Sequence, residues 1–138
     1  MIIISHRGNI NGRSKQENNP SLIMETLSKF EVEIDVWLIK DELYLGHDKP
    51  QYLIKEDFLL QDKLWCHAKN IEALTYMIKN KIHCFWHQID QYTITSKGFI
   101  WVYPNEIILD KGILVVEGKI DSIKETVEGI CTDYPEVI

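Results

Sequence analysis

The sequence lacks an excess of basic residues. It contains 15 lysines and arginines against 21 aspartates and glutamates, which gives a formal net charge of −6. Proteins that bind a nucleic-acid backbone usually carry a basic stripe, so this charge argues against general nucleic-acid binding. A small phosphorylated ligand is not excluded, because a local cationic site is enough to hold one.

Long apolar runs are also missing from the beginning of the sequence. The apolar opening extends from Met1 to Ile4 and ends at the polar pair Ser5-His6. Such a run is too short for the core of a signal peptide or for a membrane span. We therefore expect a soluble protein without a membrane span.

Cysteines are few, and their spacing is not that of a metal or disulfide framework. The three cysteines are Cys66, Cys84 and Cys131; each lies in an apolar run and no C-x-x-C pair occurs. This pattern favours buried, reduced thiols over disulfides or a zinc knuckle. We expect a cytoplasmic protein.

Neither low-complexity segments nor repeats of fixed period interrupt the chain. The sequence has 138 residues, of which 45% are hydrophobic and 26% are charged, as in ordinary globular proteins. A chain of this length is large enough to bury a core without disulfides. We predict that residues 1–138 form a single domain.

The pattern of apolar residues predicts strands that alternate with helices. The predicted strands span residues 2–5, 31–37, 43–45, 64–69, 83–87, 99–103, 107–109, 114–116 and 129–132. The predicted helices span residues 20–30 and 71–79, with a short helix or turn at 55–60, a weak helix at 120–127 and a turn at 93–96. This order indicates an α/β fold with parallel strands, in which ligand chemistry gathers at the carboxyl ends of the strands.

Polar side chains lie at or beyond the ends of several predicted strands. They are His6, Arg7, Glu33, Asp35, His47, His67 and Lys69. Strict alternation in residues 31–37 places Glu33 and Asp35 on one face of their strand, and His67 and Lys69 also share a face. Carboxylates bind hard cations, imidazoles transfer protons near neutral pH and guanidinium pairs with phosphate, so this set suits metal-assisted phosphodiester chemistry.

Several of these residues belong to separated elements that together resemble a known signature. The elements are His6-Arg7-Gly8, Glu17-Asn18, Glu33-Ile34-Asp35-Val36, Lys40-Asp41 and Gly46-His47-Asp48. In this order and spacing they resemble the N-terminal signature of the glycerophosphodiester phosphodiesterase family, which is related to the phosphatidylinositol-specific phospholipases C. Residues 129–135 resemble the last barrel strand of that family, and residues 99–103 its late strand with a tryptophan.

The resemblance implies a (β/α) TIM-type barrel that hydrolyses a small glycerol-type phosphodiester with the help of a divalent metal. His6 and His47 would be the general acid and base. Glu33 and Asp35 would hold the metal, Mg²⁺ or Ca²⁺, while Arg7 and Lys69 would bind the substrate phosphate.

The sequence departs from the family in two respects. The family has a metal-binding glutamate where this chain has His67. A histidine ligand would favour Mn²⁺ or Zn²⁺ over Ca²⁺, or else the metal is bound weakly or not at all. A complete barrel also takes about 250 residues. We therefore expect a reduced or incomplete barrel with parallel strands and few helices, or one completed by a second subunit in a homodimer.

Other interpretations of the same residues remain open. The chain could be a catalytically weakened relative that binds a phosphorylated metabolite without turnover, or a purely structural domain. Glu33 and Asp35 could lie on the exposed face of an edge strand. His83 and His87 could form a metal site or a second phosphate site, although histidines so placed are more often buried and hydrogen-bonded. Asp133 could orient a group in the pocket or be a turn residue.

Overall fold

The computed structural model describes residues 1–108, 110–120 and 126–138, and its main feature is one curled ten-stranded sheet. The strands are β1 (Ile2–His6), β2 (Glu31–Ile39), β3 (Glu42–Leu45), β4 (Tyr52–Ile54), β5 (Leu64–Ala68), β6 (Cys84–Phe85), β7 (Tyr92–Ile94), β8 (Ile100–Val102), β9 (Gly112–Val116) and β10 (Gly129–Thr132). Among these residues the α-helices are α1 (Pro20–Thr26) and α2 (Ile71–Lys79), and short 3₁₀ helices span Glu56–Leu60 and Pro135–Val137.

The centre of the sheet is parallel. Strands β8, β9, β10, β1, β2, β5 and β6 pair in that order, each parallel to its neighbour. Strands β3, β4 and β7 are antiparallel additions, because β3 pairs with β2, β4 with β3 and β7 with β8. The predicted α/β class is therefore confirmed, with a sheet that is only partly parallel.

Strand β1 is buried on both faces, as its continuous β-branched run predicts. It lies between β2 and β10, and Ile4 is completely buried. Gly129 permits the close approach of β10, because a Cβ atom at this position would lie 2.8 Å from the carbonyl oxygen of Ile2. The carboxyl end of β1 consequently delivers His6 to the middle of the sheet.

The two faces of the sheet pack into separate cores. On one face, Val32, Ile34 and Val36 of β2 pack with residues of both helices. The core of the other face draws on six strands and consists of Ile4, Trp65, Phe85, Trp101, Ile113 and Cys131. The ring centroids of Phe85 and Trp101 lie 4.6 Å apart although they belong to β6 and β8, so the sheet must curl to bring them together.

Hydrogen bonds also connect β6 with residues in and just after β7, although these two strands do not pair with each other in the described chain. The Ser96 backbone N–H donates to the Cys84 carbonyl at 2.8 Å, and the Cys84 N–H donates to Ser96 Oγ at 2.9 Å. Thr93 Oγ1 donates to the Trp86 carbonyl at 2.8 Å. These contacts hold two distant parts of the curled sheet near each other.

Some predicted elements are wrong in type or extent. The predicted turn at residues 93–96 is wrong, because β7 begins at Tyr92 and pairs with β8. In the loop after Pro50, residues 52–54 form strand β4, which pairs with β3. The predicted strand at 83–87 is reduced to Cys84–Phe85, and helix α1 ends at Thr26. In the predicted strand at 107–109, Ile107 and Ile108 belong to no strand and Leu109 lies outside the described residues; most of the predicted helix at 120–127 also lies outside them.

The thiols are buried, as predicted. Cys66, Cys84 and Cys131 are free cysteines in the interior of the protein. Burial raises the pKa of all three thiols above its usual value. Of the helices that the structure describes, none has both the length and the apolar character needed to cross a membrane.

His83 is a buried core histidine. Its Nε2 atom lies 2.9 Å from Thr95 Oγ1, and its ring packs 4.4 Å from that of Trp65. Burial, with the nearby positive charge of Lys97, lowers the pKa of His83 to about 4. His83 is therefore neutral near pH 7 and is occupied by a structural hydrogen bond.

We predict that this histidine makes the protein sensitive to acid. Because its pKa is lower in the folded protein than in the unfolded chain, the unfolded chain takes up more protons as the pH falls from about 6.5 towards 4. Between pH 7 and pH 4.5, the free energy of unfolding should fall by up to about 2 kcal/mol more in the wild type than in His83→Gln. Urea denaturation at both pH values measures the difference, and an identical pH dependence would contradict the prediction.

Candidate active site

A cavity of about 710 Å³ opens at the carboxyl ends of the parallel strands. Six of the seven predicted site residues line it, namely His6, Arg7, Glu33, His47, His67 and Lys69. The seventh, Asp35, is completely buried beneath it and contacts four of them. The structure thus gathers the polar side chains of four separate segments of the chain.

Strand β2 carries the two carboxylates into the interior. It pairs with β1 on one side and β5 on the other, and the side chains of Glu33 and Asp35 are almost fully buried. The alternative that these carboxylates form the exposed face of an edge strand is therefore wrong. The register places His6 beside Glu33 and His67 beside Asp35.

Glu33, Asp35 and His67 form a cluster that could hold a metal ion. One ligand atom from each residue lies within 4.8 Å of the other two. His67 Nδ1 is 3.1 Å from Asp35 Oδ1 and 3.8 Å from Glu33 Oε1. Buried oxygens of both carboxylates, Glu33 Oε2 and Asp35 Oδ1, have no hydrogen-bond partner in the described part of the chain, so they are available to a cation.

The orientation of His67 fits a metal ligand. Its Nε2 atom lies 2.7 Å from the backbone carbonyl of His87, and a carbonyl oxygen only accepts, so Nε2 carries the proton. Nδ1 lies on the side of Glu33 and Asp35, and it is the nitrogen that would offer its lone pair to a cation bound between them. Metal-binding histidines commonly have their second nitrogen fixed in this way by a backbone carbonyl.

The carboxylates influence each other strongly. Burial, followed by the charge of Asp35, raises the pKa of Glu33. Burial also acts to raise the pKa of Asp35, but the imidazoles of His47 and His67 and the charge of Arg7 outweigh it and hold that pKa well below its usual value. Asp35 is therefore the permanent anion of the cluster, and a bound cation would favour ionisation of Glu33 as well.

Asn18 fixes the position of Asp35. Its side-chain N–H donates to Asp35 Oδ2 at 2.9 Å, and its Oδ1 accepts the Asp35 backbone N–H at 2.9 Å. Asn18 belongs to the Glu17-Asn18 element of the resemblance, and it has a positive φ of 63°. The polar loop after β1 thereby anchors the central carboxylate through two hydrogen bonds.

His6 lies between two carboxylates. Its Nδ1 atom is 2.9 Å from Asp133 Oδ1, and its Nε2 atom is 3.9 Å from Glu33 Oε2. Burial tends to lower the pKa of His6, but the hydrogen bond to Asp133 and the charge of Glu33 prevail and raise it. The structure therefore favours the interpretation that Asp133 orients a group in the pocket.

Arg7 is enclosed by other side chains of the site. Its Nη1 donates to Glu17 Oε2 at 3.0 Å, its Nε lies 3.2 Å from Asp35 Oδ2, and its Nη2 lies 3.4 Å from His47 Nε2. His47 Nδ1 is in turn 3.4 Å from Asp35 Oδ2. The guanidinium thus neutralises the carboxylates in this state, although it also lines the cavity.

Lys69 is less constrained than Arg7. Its Nζ atom lies 3.8 Å from Asp35 Oδ1, which is its only ion pair within the described part of the protein. This distance exceeds that of a hydrogen bond. Lys69 is therefore freer than Arg7 to turn towards an anionic ligand in the cavity.

Asn9 is a site residue that the sequence did not reveal. Its buried side-chain N–H₂ group donates to Glu17 Oε1 at 3.1 Å and to Asp133 Oδ1 at 2.8 Å. It therefore joins the carboxylate that contacts Arg7 to the carboxylate that contacts His6. Nothing distinguishes Asn9 from the other asparagines of its polar loop in the sequence, because its partner Asp133 lies far along the chain.

His87 is a second residue whose position was not predicted. Its carbonyl accepts the His67 N–H, and its ring lines the cavity. Burial and then the charge of His67 lower the pKa of His87, while Asp90 opposes them. The spacing to His83 suggested a shared site, but His83 bonds to Thr95 whereas His87 faces the cavity.

Comparisons of the chain with protein-family models, with characterised proteins and with solved structures found no match.

The carboxylate cluster generates a prediction about metal binding. The variant Glu33→Gln removes a charge that is unfavourable next to Asp35, so the metal-free variant should melt about 2–4 °C above the wild type, which corresponds to roughly 1 kcal/mol in a domain of this size. Mn²⁺ at about 100 times its dissociation constant should stabilise the wild type by about 2.7 kcal/mol and leave the variant unchanged. Thermal unfolding with and without Mn²⁺ tests both statements.

Glu25→Gln is the matched control, because Glu25 is exposed and lies outside the cluster. It should respond to Mn²⁺ as the wild type does. Equal stabilisation of Glu33→Gln by Mn²⁺ would exclude Glu33 as a metal ligand.

Proposed function

We propose that this protein is a metal-dependent phosphodiesterase of the glycerophosphodiester type. The observation that carries the proposal is the placement of one histidine beside each carboxylate of the cluster: His6 beside Glu33 and His47 beside Asp35. Acid–base catalysis of phosphodiester cleavage needs two proton-transfer groups near a site that binds the phosphate.

Glu33, Asp35 and His67 would hold the metal. Their free oxygens and the Nδ1 lone pair of His67 form a donor set of two carboxylates and one imidazole. Imidazole favours Mn²⁺ or Zn²⁺ over Ca²⁺, and we propose Mn²⁺ as the preferred ion, with Mg²⁺ as a weaker substitute. When bound, the ion supplies positive charge that offsets the charge of the phosphate.

The environments of the two histidines favour different roles. Both ring nitrogens of His6 face carboxylates, Asp133 and Glu33, which favours the protonated ring, so His6 suits the general acid. His47 Nε2 faces an N–H of Arg7 and therefore presents a lone pair, which suits the general base. His47 would take the proton of the attacking hydroxyl, and His6 would give a proton to the departing alkoxide oxygen.

Lys69 and Arg7 would bind the phosphate. Lys69 already lies on the cavity wall without a close partner, whereas Arg7 would have to exchange its contact with His47 for one with the phosphate. That exchange would release His47 Nε2 at the moment when a substrate arrives. Substrate binding and activation of the base would thus be linked through Arg7.

The fold supports the same family assignment. We infer a reduced TIM-type barrel from the parallel centre of the curled sheet, from the core built by six strands, and from the location of the cavity at the carboxyl ends of the strands. Helix α2 packs on this sheet, but the described chain contains far fewer helices than a complete barrel.

The second candidate function is binding of a phosphorylated metabolite without turnover. The enclosure of Arg7 by Glu17, Asp35 and His47 favours it, because this arrangement balances the charges without leaving the arginine free for substrate. A ligand could then be held by Lys69 alone. The two functions differ in whether His47 becomes available as a base.

A turnover assay distinguishes them. The purified protein should cleave glycerophosphocholine or bis(p-nitrophenyl) phosphate, with Mn²⁺ supporting a higher rate than Mg²⁺ and Ca²⁺ the lowest. His6→Ala and His47→Ala should each reduce kcat by at least about 100-fold, the usual contribution of a general acid or base. His83→Gln is the control, because His83 lies in the core, and it should keep the wild-type rate.

The absence of turnover with every cation and both diesters would contradict the phosphodiesterase proposal. If inorganic phosphate nevertheless raised the melting temperature, and Lys69→Ala removed that effect, the binding function would be favoured.

A further inference from the structure

An aromatic ring, as well as a hydrogen bond, holds the imidazole of His67. Phe85 is its neighbour on β6, because the parallel register of β5 and β6 pairs these two residues. Their ring centroids lie 5.2 Å apart, and the planes of the two rings differ by only 7°. The two side chains therefore form an offset parallel stack, which is one of the favoured geometries of ring pairs.

Phe85 is itself fixed by the core. It is only 2% exposed, and it belongs to the core that six strands build. Its ring also stacks on that of Trp101, with a centroid distance of 4.6 Å and an angle of 30° between the planes. The core thus supplies a rigid surface against which the imidazole of His67 is set.

The hydrogen bond and the stack restrain different properties of the His67 ring. The bond from its Nε2 to the His87 carbonyl restrains one atom, and a carbonyl oxygen accepts hydrogen bonds over a broad range of directions. The flat face of Phe85 restrains the plane of the whole ring. Because the lone pair of Nδ1 lies in this plane, the stack aims it towards the side of Glu33 and Asp35.

The aim of this lone pair matters more for some cations than for others. His67 is the nitrogen donor of the cluster, while Glu33 and Asp35 supply oxygens. Imidazole suits Zn²⁺, whereas Ca²⁺ takes oxygen ligands. A correctly oriented ring therefore adds affinity for Zn²⁺ and adds little for Ca²⁺.

We propose that Phe85 is a positioning residue that, by stacking on His67, gives the cluster its preference for cations that accept imidazole. This inference rests on the proposed metal-dependent function and deepens its metal site. The side chain of Phe85 has no donor atom, so it acts on a bound cation only through His67.

Calorimetric titrations of the purified protein with Zn²⁺ and with Ca²⁺ test the inference. The wild type should bind Zn²⁺ more tightly than Ca²⁺. Phe85→Leu should weaken Zn²⁺ binding by about threefold to tenfold, which is what one aromatic pair contributes, and should leave Ca²⁺ binding unchanged. A general loss of structure would weaken both cations, so the ratio of the two dissociation constants isolates the effect of the stack.

A double variant shows whether Phe85 acts through His67. In the background of His67→Ala, which removes the nitrogen donor, Phe85→Leu should no longer change the affinity for Zn²⁺. This comparison needs only Zn²⁺, so it decides the question even when Ca²⁺ binds too weakly to measure. Phe85→Tyr keeps the ring and should keep the preference of the wild type.

Phe99→Leu is the matched control. Phe99 packs against the same core, and its ring lies 5.0 Å from that of Trp65. The control should bind both cations as the wild type does. Melting temperatures report whether each variant is folded, and Phe85→Met, which also lacks a ring but fills more of the space, replaces Phe85→Leu if that variant does not fold.

Three results would overturn the inference: a wild type that does not prefer Zn²⁺, unchanged Zn²⁺ binding in folded Phe85→Leu, or a loss of Zn²⁺ affinity that persists in the His67→Ala background. These results are separable from the failure of the proposed function. Diester turnover without an effect of Phe85 on Zn²⁺ would remove only the role of Phe85. The expected effect on Zn²⁺ in a protein without turnover would remove the phosphodiesterase proposal and keep that role.

Discussion

The structure depends on the burial of two carboxylates side by side on its central strand. Taking charges out of water is costly unless partners compensate, and like charges add repulsion. Around Glu33 and Asp35, compensation comes from groups on other segments of the chain, including Arg7, His67 and the amide of Asn18. The loop after β1 and the end of β5 therefore supply groups that compensate the negative charge of β2. A divalent cation would neutralise the remaining charge.

Much of this arrangement follows from local sequence patterns. Alternation in residues 31–37 correctly separates the core side chains of β2 from its carboxylates, and parallel pairing of β2 with β5 brings His67 to Asp35. Other features depend on contacts between distant residues and leave no local signal. The tautomer of His67 is set by the His87 carbonyl, and the curl of the sheet by packing of Phe85 on Trp101.

The same limit explains the errors in the predicted elements. The short strands β4 and β7 are stabilised by antiparallel partners, and the turn-like composition around them hides this pairing.

The role of Arg7 also depends on contacts that the local sequence does not show. Its residue type indicates a phosphate ligand, but the folded chain surrounds it with Glu17, Asp35 and His47, so its first role is to balance charge within the site.

We propose that these buried carboxylates and His67 bind a divalent metal. The most direct measurement is an anomalous difference map from crystals of the protein grown with Mn²⁺. A single strong peak is expected in the cavity, within about 2.5 Å of oxygens of Glu33 and Asp35 and of His67 Nδ1. The absence of a peak at this cluster at saturating Mn²⁺, or a peak within bonding distance of other residues only, would contradict metal binding by Glu33, Asp35 and His67.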